Sequence, residues 1–382
     1  MEGAHSLGQA VGDKLLSLAT ERSFPPITHL QLIVTEDCNC RCDYCFVEGK
    51  RPEYMSEDVL RASIDFLMQK SRRERDVTVL FFGGEPLLAL DLIRFAVEYA
   101  NNAAAREGKR VGYSMTTNGT LFDADSLAFC RENSLRFLLS IDGARESHNK
   151  HRRLISGEGS FDLVARKIRM MKAAQPWMGA RVTPTPATMN KIADNVMYLY
   201  KLGINQFLVG PATGIEYSDD DIALFKREML TLADFYIAMV RRKAPFRLTL
   251  FESDSLTSIG SKSGVWGCGA GRGTLSISTS GELQPCAKIQ GLHGLKGINR
   301  YSLGNVMSGT LANAVRREFI MSSYERRTEC HSCESRDDCA GGCAAVNYQA
   351  TGSIWLPDES QCKIVHVITE MKKYVRSKLA AS

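Results

Sequence analysis

The chain has 382 residues, 44% of them hydrophobic and 24% charged, with a formal net charge of +5. This is the composition of a soluble globular protein long enough for two domains. No apolar run reaches the roughly 18 residues of a membrane helix, and the interspersed acids do not indicate nucleic-acid binding. Because the N-terminus also lacks the features of a secretory signal, we expect a cytoplasmic protein.

Apolar runs along the chain predict an amphipathic helix within residues 1–25 and then alternating strands and helices. The predicted strands are 29–34, 77–82, 112–117, 135–141, 180–185 and 205–210. The predicted helices are one capped by Ser56, then 89–105, 124–133, 160–174, 188–202 and 218–242. Strands of continuous apolar character imply a parallel sheet covered by helices. Chemistry is then expected at the carboxyl ends of the strands.

The twelve cysteines are clustered: four lie within residues 38–45 and seven within 268–362. In a reducing cytosol, such clusters indicate metal ligands more than disulfides. The remaining one, Cys130, follows a helical apolar pattern and is expected to be a buried core thiol.

The segment 35–46, TEDCNCRCDYCF, is called the cysteine loop below. Its Cys38, Cys42 and Cys45 have the spacing C-x3-C-x2-C, and three thiolates can ligate three irons of a [4Fe–4S] cluster and leave the fourth open. Cys40 lies outside this spacing and is expected to be a spare thiol. A zinc loop or a redox thiol cluster is the alternative.

With Tyr44 just before Cys45, the loop resembles the signature of the radical S-adenosylmethionine (SAM) enzymes. The resemblance extends over about residues 28–365 and implies a partial (β/α)6 barrel of the TIM type. It implies that SAM chelates the open iron and that its reductive cleavage yields a 5′-deoxyadenosyl radical, which abstracts a hydrogen atom. Tyr44 would lie along the adenine.

Two motifs at predicted strand ends carry the resemblance further. In FFGGEPL, Gly83 and Gly84 permit close approach of the backbone to a ligand. Glu85 matches the position that holds the SAM amino group in this family. Asn118 matches a Thr-Asn-Gly stretch that lines the active-site mouth, although an Asn-Gly pair can also be a plain turn.

Further positions match the SAM site of the family. Ser140 and Asp142 are placed to bond the ribose hydroxyls, and Gly210 stands where a small residue admits the adenine. Arg152 fits best as partner of the SAM carboxylate, because a guanidinium matches carboxylate geometry. Its motif departs from the family pattern in Asn149, where an Asp is usual.

Arg153 and Arg181 compete with Arg152 for the SAM carboxylate. Solvated surface is the alternative reading for these arginines.

After about residue 245 the alternation stops and cysteines recur. The stretch 268–362 is called the C-terminal cysteine array; it contains a predicted hairpin of LSIS and ELQP. Its layout resembles the SPASM domain, the auxiliary-cluster module of peptide-modifying radical SAM enzymes. A zinc ribbon is the alternative for residues 330–343.

The SPASM resemblance implies two auxiliary [4Fe–4S] clusters, and so three clusters in all. The proximal ligands would be Cys268, Cys286 and Cys343. The distal ligands would be Cys330, Cys333, Cys339 and Cys362. Because an eighth cysteine is missing, we expect an open iron or a non-cysteine ligand at the proximal cluster.

These matches suggest four parts: residues 1–27 as an N-terminal extension, 28–245 as the radical SAM core, 246–365 as the auxiliary-cluster domain and 366–382 as a C-terminal helix or tail. The expected substrate is a ribosomal peptide that receives an intramolecular crosslink, because residues 339–353 resemble thioether-forming maturases. Expected partners are an electron donor such as flavodoxin or ferredoxin and, if leader binding is needed, a separate protein.

Other functions stay open. An anaerobic sulfatase-maturing enzyme, which makes formylglycine, would carry an Asp after Cys286, where this chain has Ala287. A peptide epimerase and a quinone-cofactor biosynthesis enzyme are further alternatives. A non-catalytic cluster or zinc protein is disfavoured by the coexistence of Glu85, Ser140 and Arg152 with the cysteine loop.

Overall fold

A computed structural model describes residues 24–47, 49–252, 268–292, 298–320, 327–339 and 341–381. The helix predicted within residues 1–25 lies outside these ranges, apart from its end. Among the described residues, no helix is both long and apolar enough to span a bilayer.

The described strands form one mostly parallel sheet. They are β1 (His29–Thr35), β2 (Asp76–Gly83), β3 (Arg110–Thr117), β4 (Arg136–Ser140), β5 (Gly179–Val182), β6 (Gln206–Val209), β7 (Arg247–Leu248), β8 (Thr274–Ile277), β9 (Glu282–Gln284) and β10 (Gly304–Asn305). Their spatial order is β10-β9-β8-β1-β2-β3-β4-β5-β6-β7. The run from β8 through β1 to β7 is parallel, and β9 and β10 are antiparallel. The predicted α/β fold is confirmed.

Helices follow most of the parallel strands. They are α1 (Glu57–Lys70), α2 (Leu90–Glu107), α3 (Ala124–Glu132), α4 (Arg145–His151), α5 (Phe161–Ala165), α6 (Ile168–Ala174), α7 (Ile192–Lys201), α8 (Asp219–Arg241), α9 (Ala287–Gln290), α10 (Asn313–Ile320), α11 (Arg336–Cys339), α12 (Ala344–Thr351) and α13 (Glu359–Ala380). Ser56 caps α1 as predicted, since its side chain accepts a hydrogen bond from the Val59 N–H. The single helix predicted over 160–174 is instead two, α5 and α6.

The sheet has more strands than the six predicted. Strand β8 pairs in parallel with β1, from His29 opposite Thr274 to Leu32 opposite Ile277. The predicted hairpin of β8 and β9 is present, but it extends the barrel sheet. The array is therefore joined by backbone hydrogen bonds to the strand that precedes the cysteine loop.

Two hydrophobic cores hold these layers together. The larger one lies between the sheet and its helices, and includes the fully buried Leu32, Phe81 and Phe207. The smaller one belongs to the array and centres on Tyr301, whose ring meets those of Phe319 and Tyr348 edge-on. Cys130 is buried in the larger core, as expected.

Candidate active site at the strand ends

A cavity of about 320 Å³ opens at the carboxyl ends of the parallel strands. We call it the strand-end cavity. It is lined by cysteines of the cysteine loop and by predicted SAM-site residues from several strand ends. These are Cys38, Cys42, Cys45, Tyr44, Gly83, Gly84, Glu85, Asn118, Ser140 and Arg152. Asp142 and Gly210 are not among the lining residues.

Hydrogen bonds from neighbouring strand ends hold the cysteine loop. Gly84 N donates to Thr35 O at 2.9 Å, and Glu85 N donates to Asp37 O at 2.8 Å. A Cβ added to Gly83 would come within 2.2 Å of Thr35 O, and one added to Gly84 within 1.9 Å of Asp37 O. Both glycines are thus required because the end of β2 approaches the backbone of the cysteine loop. The sequence had instead predicted that they permit close approach to a ligand.

Asn118 reaches the loop from the end of β3. Its side-chain nitrogen donates to Asn39 Oδ1 at 2.8 Å and lies 3.4 Å from Cys40 Sγ. Cys40 is buried and lines the same cavity as Cys38. The structure therefore places this extra thiol beside the three cysteines of the motif.

Glu85 is a buried carboxylate at the base of the cavity. It accepts hydrogen bonds from Thr117 Oγ1 at 2.6 Å and from Asn118 N at 2.7 Å. Burial raises the pKa of Glu85 to about 7, against the opposing effect of these two hydrogen bonds. This carboxyl group is fixed in position and is a suitable acceptor for a buried cation.

A buried network joins Tyr44, Asp142 and Arg152. The Tyr44 hydroxyl donates to Asp142 Oδ2 at 2.5 Å, and Arg152 Nε donates to the same oxygen at 2.8 Å. Thr183 N donates to Asp142 Oδ1 at 2.9 Å. Burial alone would raise the pKa of Asp142, but the charges of Arg152 and His148 and the hydrogen bonds lower it below its usual value.

The network changes the picture drawn from the sequence. Asp142 was predicted to bond the ribose, but both of its oxygens are engaged by the protein. Its visible role is to orient Tyr44 and Arg152, whose side chains do line the cavity. Ser140, half-buried at the end of β4, lines the cavity as predicted.

Three further predictions concern Arg153, Arg181 and Gly210. Arg153 is exposed and its guanidinium donates to Gly157 O, so it faces away from the cavity. Arg181 does line the cavity, and it donates to Gly210 O at 3.1 Å. The Arg181 guanidinium lies over Gly210, since a Cβ added to this glycine would come within 2.9 Å of it. That Gly210 admits the adenine stays a prediction.

The cysteines of the array converge in two groups. All four predicted distal cysteines line one cavity of about 670 Å³, together with His366. The three predicted proximal cysteines, Cys268, Cys286 and Cys343, lie within electrostatic range of one another. Burial, together with the charges of Cys343 and Cys268, raises the pKa of Cys286 to about 12.

Spacing within these groups bears on the kind of metal. Across the described ranges, no three His, Cys, Asp or Glu side chains converge tightly enough to hold a single metal ion. A [4Fe–4S] cluster distributes its thiolates over separate irons, so wider spacing suits it better than a zinc ion, which needs its ligands on one centre.

Sequence reasoning missed some members of the strand-end cavity. They include Thr116, the segment 211–213 after β6, and Lys288 on α9. Only the three-dimensional fold brings Lys288 to the cavity, because α9 follows the array cysteine Cys286. No local sequence motif marks it.

Comparison with known proteins agrees with this geometry. Residues 32–182 match the family model of the Radical SAM superfamily. The chain is 24% identical over 344 residues to the cysteine-type anaerobic sulfatase-maturating enzyme of Clostridium perfringens (strain 13 / Type A), an alignment covering 84% of this chain and 89% of that protein.

Two solved structures share the fold. One is native anSMEcpe with bound AdoMet and Cp18Cys peptide, with a TM-score of 0.74, 21% identity and coverage of 94% of this chain and 98% of that one. The other is Streptococcus suis SuiB bound to precursor peptide SuiA, with a TM-score of 0.59, 16% identity and coverage of 93% and 80%. Residues 32–182 thus match the Radical SAM superfamily, and the chain shares the fold of these two structures.

Proposed function

We propose that the enzyme modifies a ribosomal peptide in the strand-end cavity. The proposal depends on one observation: the three motif cysteines and the side chains expected to hold SAM open into the same cavity. Cys38, Cys42 and Cys45 would hold one [4Fe–4S] cluster there. When bound, the cluster and SAM supply a 5′-deoxyadenosyl radical that abstracts a hydrogen atom from the substrate.

The residues around the cavity fit SAM by their chemistry. Glu85 offers a fixed carboxyl group for the SAM amino group, and the Tyr44 ring forms a wall for the adenine. Asp142 engages Nε and one Nη of Arg152, which leaves the other Nη donors of that guanidinium available for the SAM carboxylate. Arg181, which has no described carboxylate partner, is the second cation for that group.

The array would hold two more clusters. Cys330, Cys333, Cys339 and Cys362 share one cavity and suit the distal cluster. Cys268, Cys286 and Cys343 suit the proximal one, with its fourth iron open or bound by another residue. Removal of a hydrogen atom leaves a substrate radical, and crosslinking requires loss of one further electron and of the proton on the attacked group. The clusters are the proposed acceptors of this electron.

A peptide substrate is supported by two of the solved structures that share this fold, both of which contain bound peptides. We propose that the product is an intramolecular thioether, carbon–carbon or carbon–oxygen crosslink. A flavodoxin or ferredoxin would supply the electron for SAM cleavage. A separate leader-binding protein is an additional candidate partner.

Formylglycine formation is the second candidate, and similarity to the Clostridium perfringens enzyme favours it. Ala287 speaks against it, because this side chain has no carboxyl group to act as a base after Cys286. Peptide epimerisation and quinone-cofactor biosynthesis remain alternatives, as does a metal-binding interaction module. A brown protein that releases acid-labile sulfide would contain iron–sulfur clusters, and this result would exclude a zinc-binding interaction module.

Co-expression under anaerobic conditions with a short peptide encoded beside the gene tests the proposal. Mass spectrometry should show loss of two hydrogens with sulfur retained. In a thioether product, the thiol is also no longer alkylated. Formylglycine would instead react with a hydrazine reagent, and would have lost sulfur if it came from Cys. Unchanged mass with deuterium uptake at one carbon would indicate epimerisation and would reject crosslinking.

A further inference from the structure

Lys288 is the second residue of the short helix α9, directly after Ala287, and its side chain lines the strand-end cavity. The helix is anchored from both sides. Ala287 N donates to Gln31 Oε1 of β1 at 2.8 Å, and Gly291, at the helix end, packs against the ring of Phe46. The position of Lys288 is therefore set by the barrel sheet and by the cysteine loop.

The ammonium group of Lys288 has an aromatic neighbour, and the charged groups that act on it are Arg181 and the thiols of Cys343 and Cys286. Its Nζ lies 5.6 Å from the centroid of the Phe46 ring. In the part of the chain that the structure describes, no carboxylate is within ion-pair distance of Lys288. By contrast, the cavity cation Arg152 is paired with Asp142 at 2.8 Å. Lys288 is thus a cavity cation without a carboxylate partner among the described residues.

A second cation increases the need for an anion. Arg181 lines the same cavity and lies close enough for its positive charge to act on Lys288. Two like charges in a partly desolvated cavity repel each other, and an anion placed beside them removes this cost. SAM brings only one carboxylate, for which the guanidinium groups of Arg152 and Arg181 are better shaped than an ammonium.

We propose that Lys288 binds a carboxylate of the peptide substrate, either an Asp or Glu side chain or the C-terminus of the peptide. This inference rests on the proposed function, since it assigns the substrate group that the cavity recognises.

The test measures peptide binding to the full-length, cluster-loaded enzyme in the presence of SAM. The probes are short rhodamine-labelled peptide pools with C-terminal amides, randomised except for a central Asp, Glu, Asn or Gln. Another pool has a neutral centre and a free C-terminus. Fluorescence anisotropy gives the Kd of each pool without requiring turnover.

For the wild type, a carboxylate-bearing pool should bind about tenfold more tightly than its amide counterpart, the effect of one charged hydrogen bond. Lys288→Gln should remove this preference and Lys288→Arg should keep it. Lys191→Gln is the matched control, because Lys191 is paired with Glu146 on the surface at 2.8 Å and lies away from the cavity. Preference for the Asp or Glu pools identifies a side-chain carboxylate, and preference for the free C-terminus identifies the peptide end.

Several results would overturn the inference. One is equal binding of all pools by the wild type, and another is full preference retained by Lys288→Gln. A third is that Lys288→Gln weakens SAM binding, or shifts the potential of an auxiliary cluster, without changing the peptide preference. Lys288 would then serve SAM or the thiolates of Cys286 and Cys343.

Formation of 5′-deoxyadenosine from SAM with dithionite, measured in the same preparations, separates this inference from the proposed function. A wild type that cleaves SAM but shows no carboxylate preference rejects only the Lys288 subsite. A wild type with an intact loop cluster that cleaves no SAM rejects the proposed radical chemistry itself.

Discussion

The cysteine loop and the distal part of the C-terminal cysteine array hold their thiols in different ways. The loop is fixed by hydrogen bonds from β2 and β3, with Cys38 and Cys40 buried. The segment 328–339 carries three of the four distal cysteines. Cys330 and Cys339 end short helices of three and four residues, and Cys333 lies between these helices. Neither described hydrophobic core includes a residue of that segment.

This contrast indicates which of the two regions becomes ordered without its metal cluster. Helices of one turn are unstable without tertiary support, so the distal segment needs another source of order. Metal ligation supplies such order, because binding energy at a site absent from the unfolded chain is folding energy. We therefore expect the loop to be organised before its cluster binds, and the distal segment to become ordered with its cluster.

The largest expected effect comes from Cys42→Ala in the cysteine loop. Loss of this thiolate removes one of three proposed ligands, so SAM cleavage should fall to the background of cluster-free protein. The measurement is 5′-deoxyadenosine formation with dithionite. Cys130→Ala, which removes a core thiol remote from both regions, should cleave SAM at the wild-type rate; equal rates in Cys42→Ala and wild type would contradict the ligand assignment.

In the array, Cys339→Ala should separate SAM cleavage from product formation. The barrel cluster would remain, so SAM cleavage without peptide should persist while iron content falls by about four per chain and crosslinked product disappears. The distal segment should also become sensitive to limited proteolysis. Wild-type product yield together with the lower iron content would show that the distal cluster is dispensable.

Asp142→Asn tests whether the loop region depends on chain contacts for its order. The substitution leaves the buried Arg152 guanidinium without its counter-charge, and should lower the free energy of unfolding by about 3 kcal/mol. Denaturant unfolding of the apoprotein measures it. Asp76→Asn is the control, because Asp76 pairs with Arg110 on the surface at 2.7 Å and should leave the midpoint nearly unchanged. Equal midpoints for both variants would refute the structural role of the network.

Much of the barrel was predictable because each strand is a local apolar run. Strand β1 begins at residue 29 as predicted and ends one residue later than the predicted 34. Strand β5 ends at Val182 and not at residue 185, because Pro184 and Pro186 follow. Strand β7 has two residues and leaves no apolar pattern to detect. The pairing of β8 with β1 joins distant parts of the chain, which no local pattern reports.

The residues of the site also divide into those that the sequence predicts and those that it does not. Motif residues such as Glu85 and Asn118 were found because they follow strands directly. The engagement of both Asp142 oxygens, the outward direction of Arg153 and the position of Lys288 depend on side-chain contacts between remote segments. Sequence alone gives the residue types at the strand ends but does not show which of them pair with each other.

His366→Leu should give the smallest effect, and it tests how the protein tunes the distal cluster of the array. The Nε2 of His366 lies 3.4 Å from Cys333 Sγ, and its ring lines the distal cavity. Hydrogen bonds to cluster sulfurs raise the reduction potential, so His366→Leu should make the distal cluster harder to reduce. A redox titration followed by electron paramagnetic resonance measures the shift. His366→Gln, which keeps an N–H donor, should restore part of it; an unchanged potential in His366→Leu would mean that the distal cluster is tuned by its thiolates and solvent exposure alone.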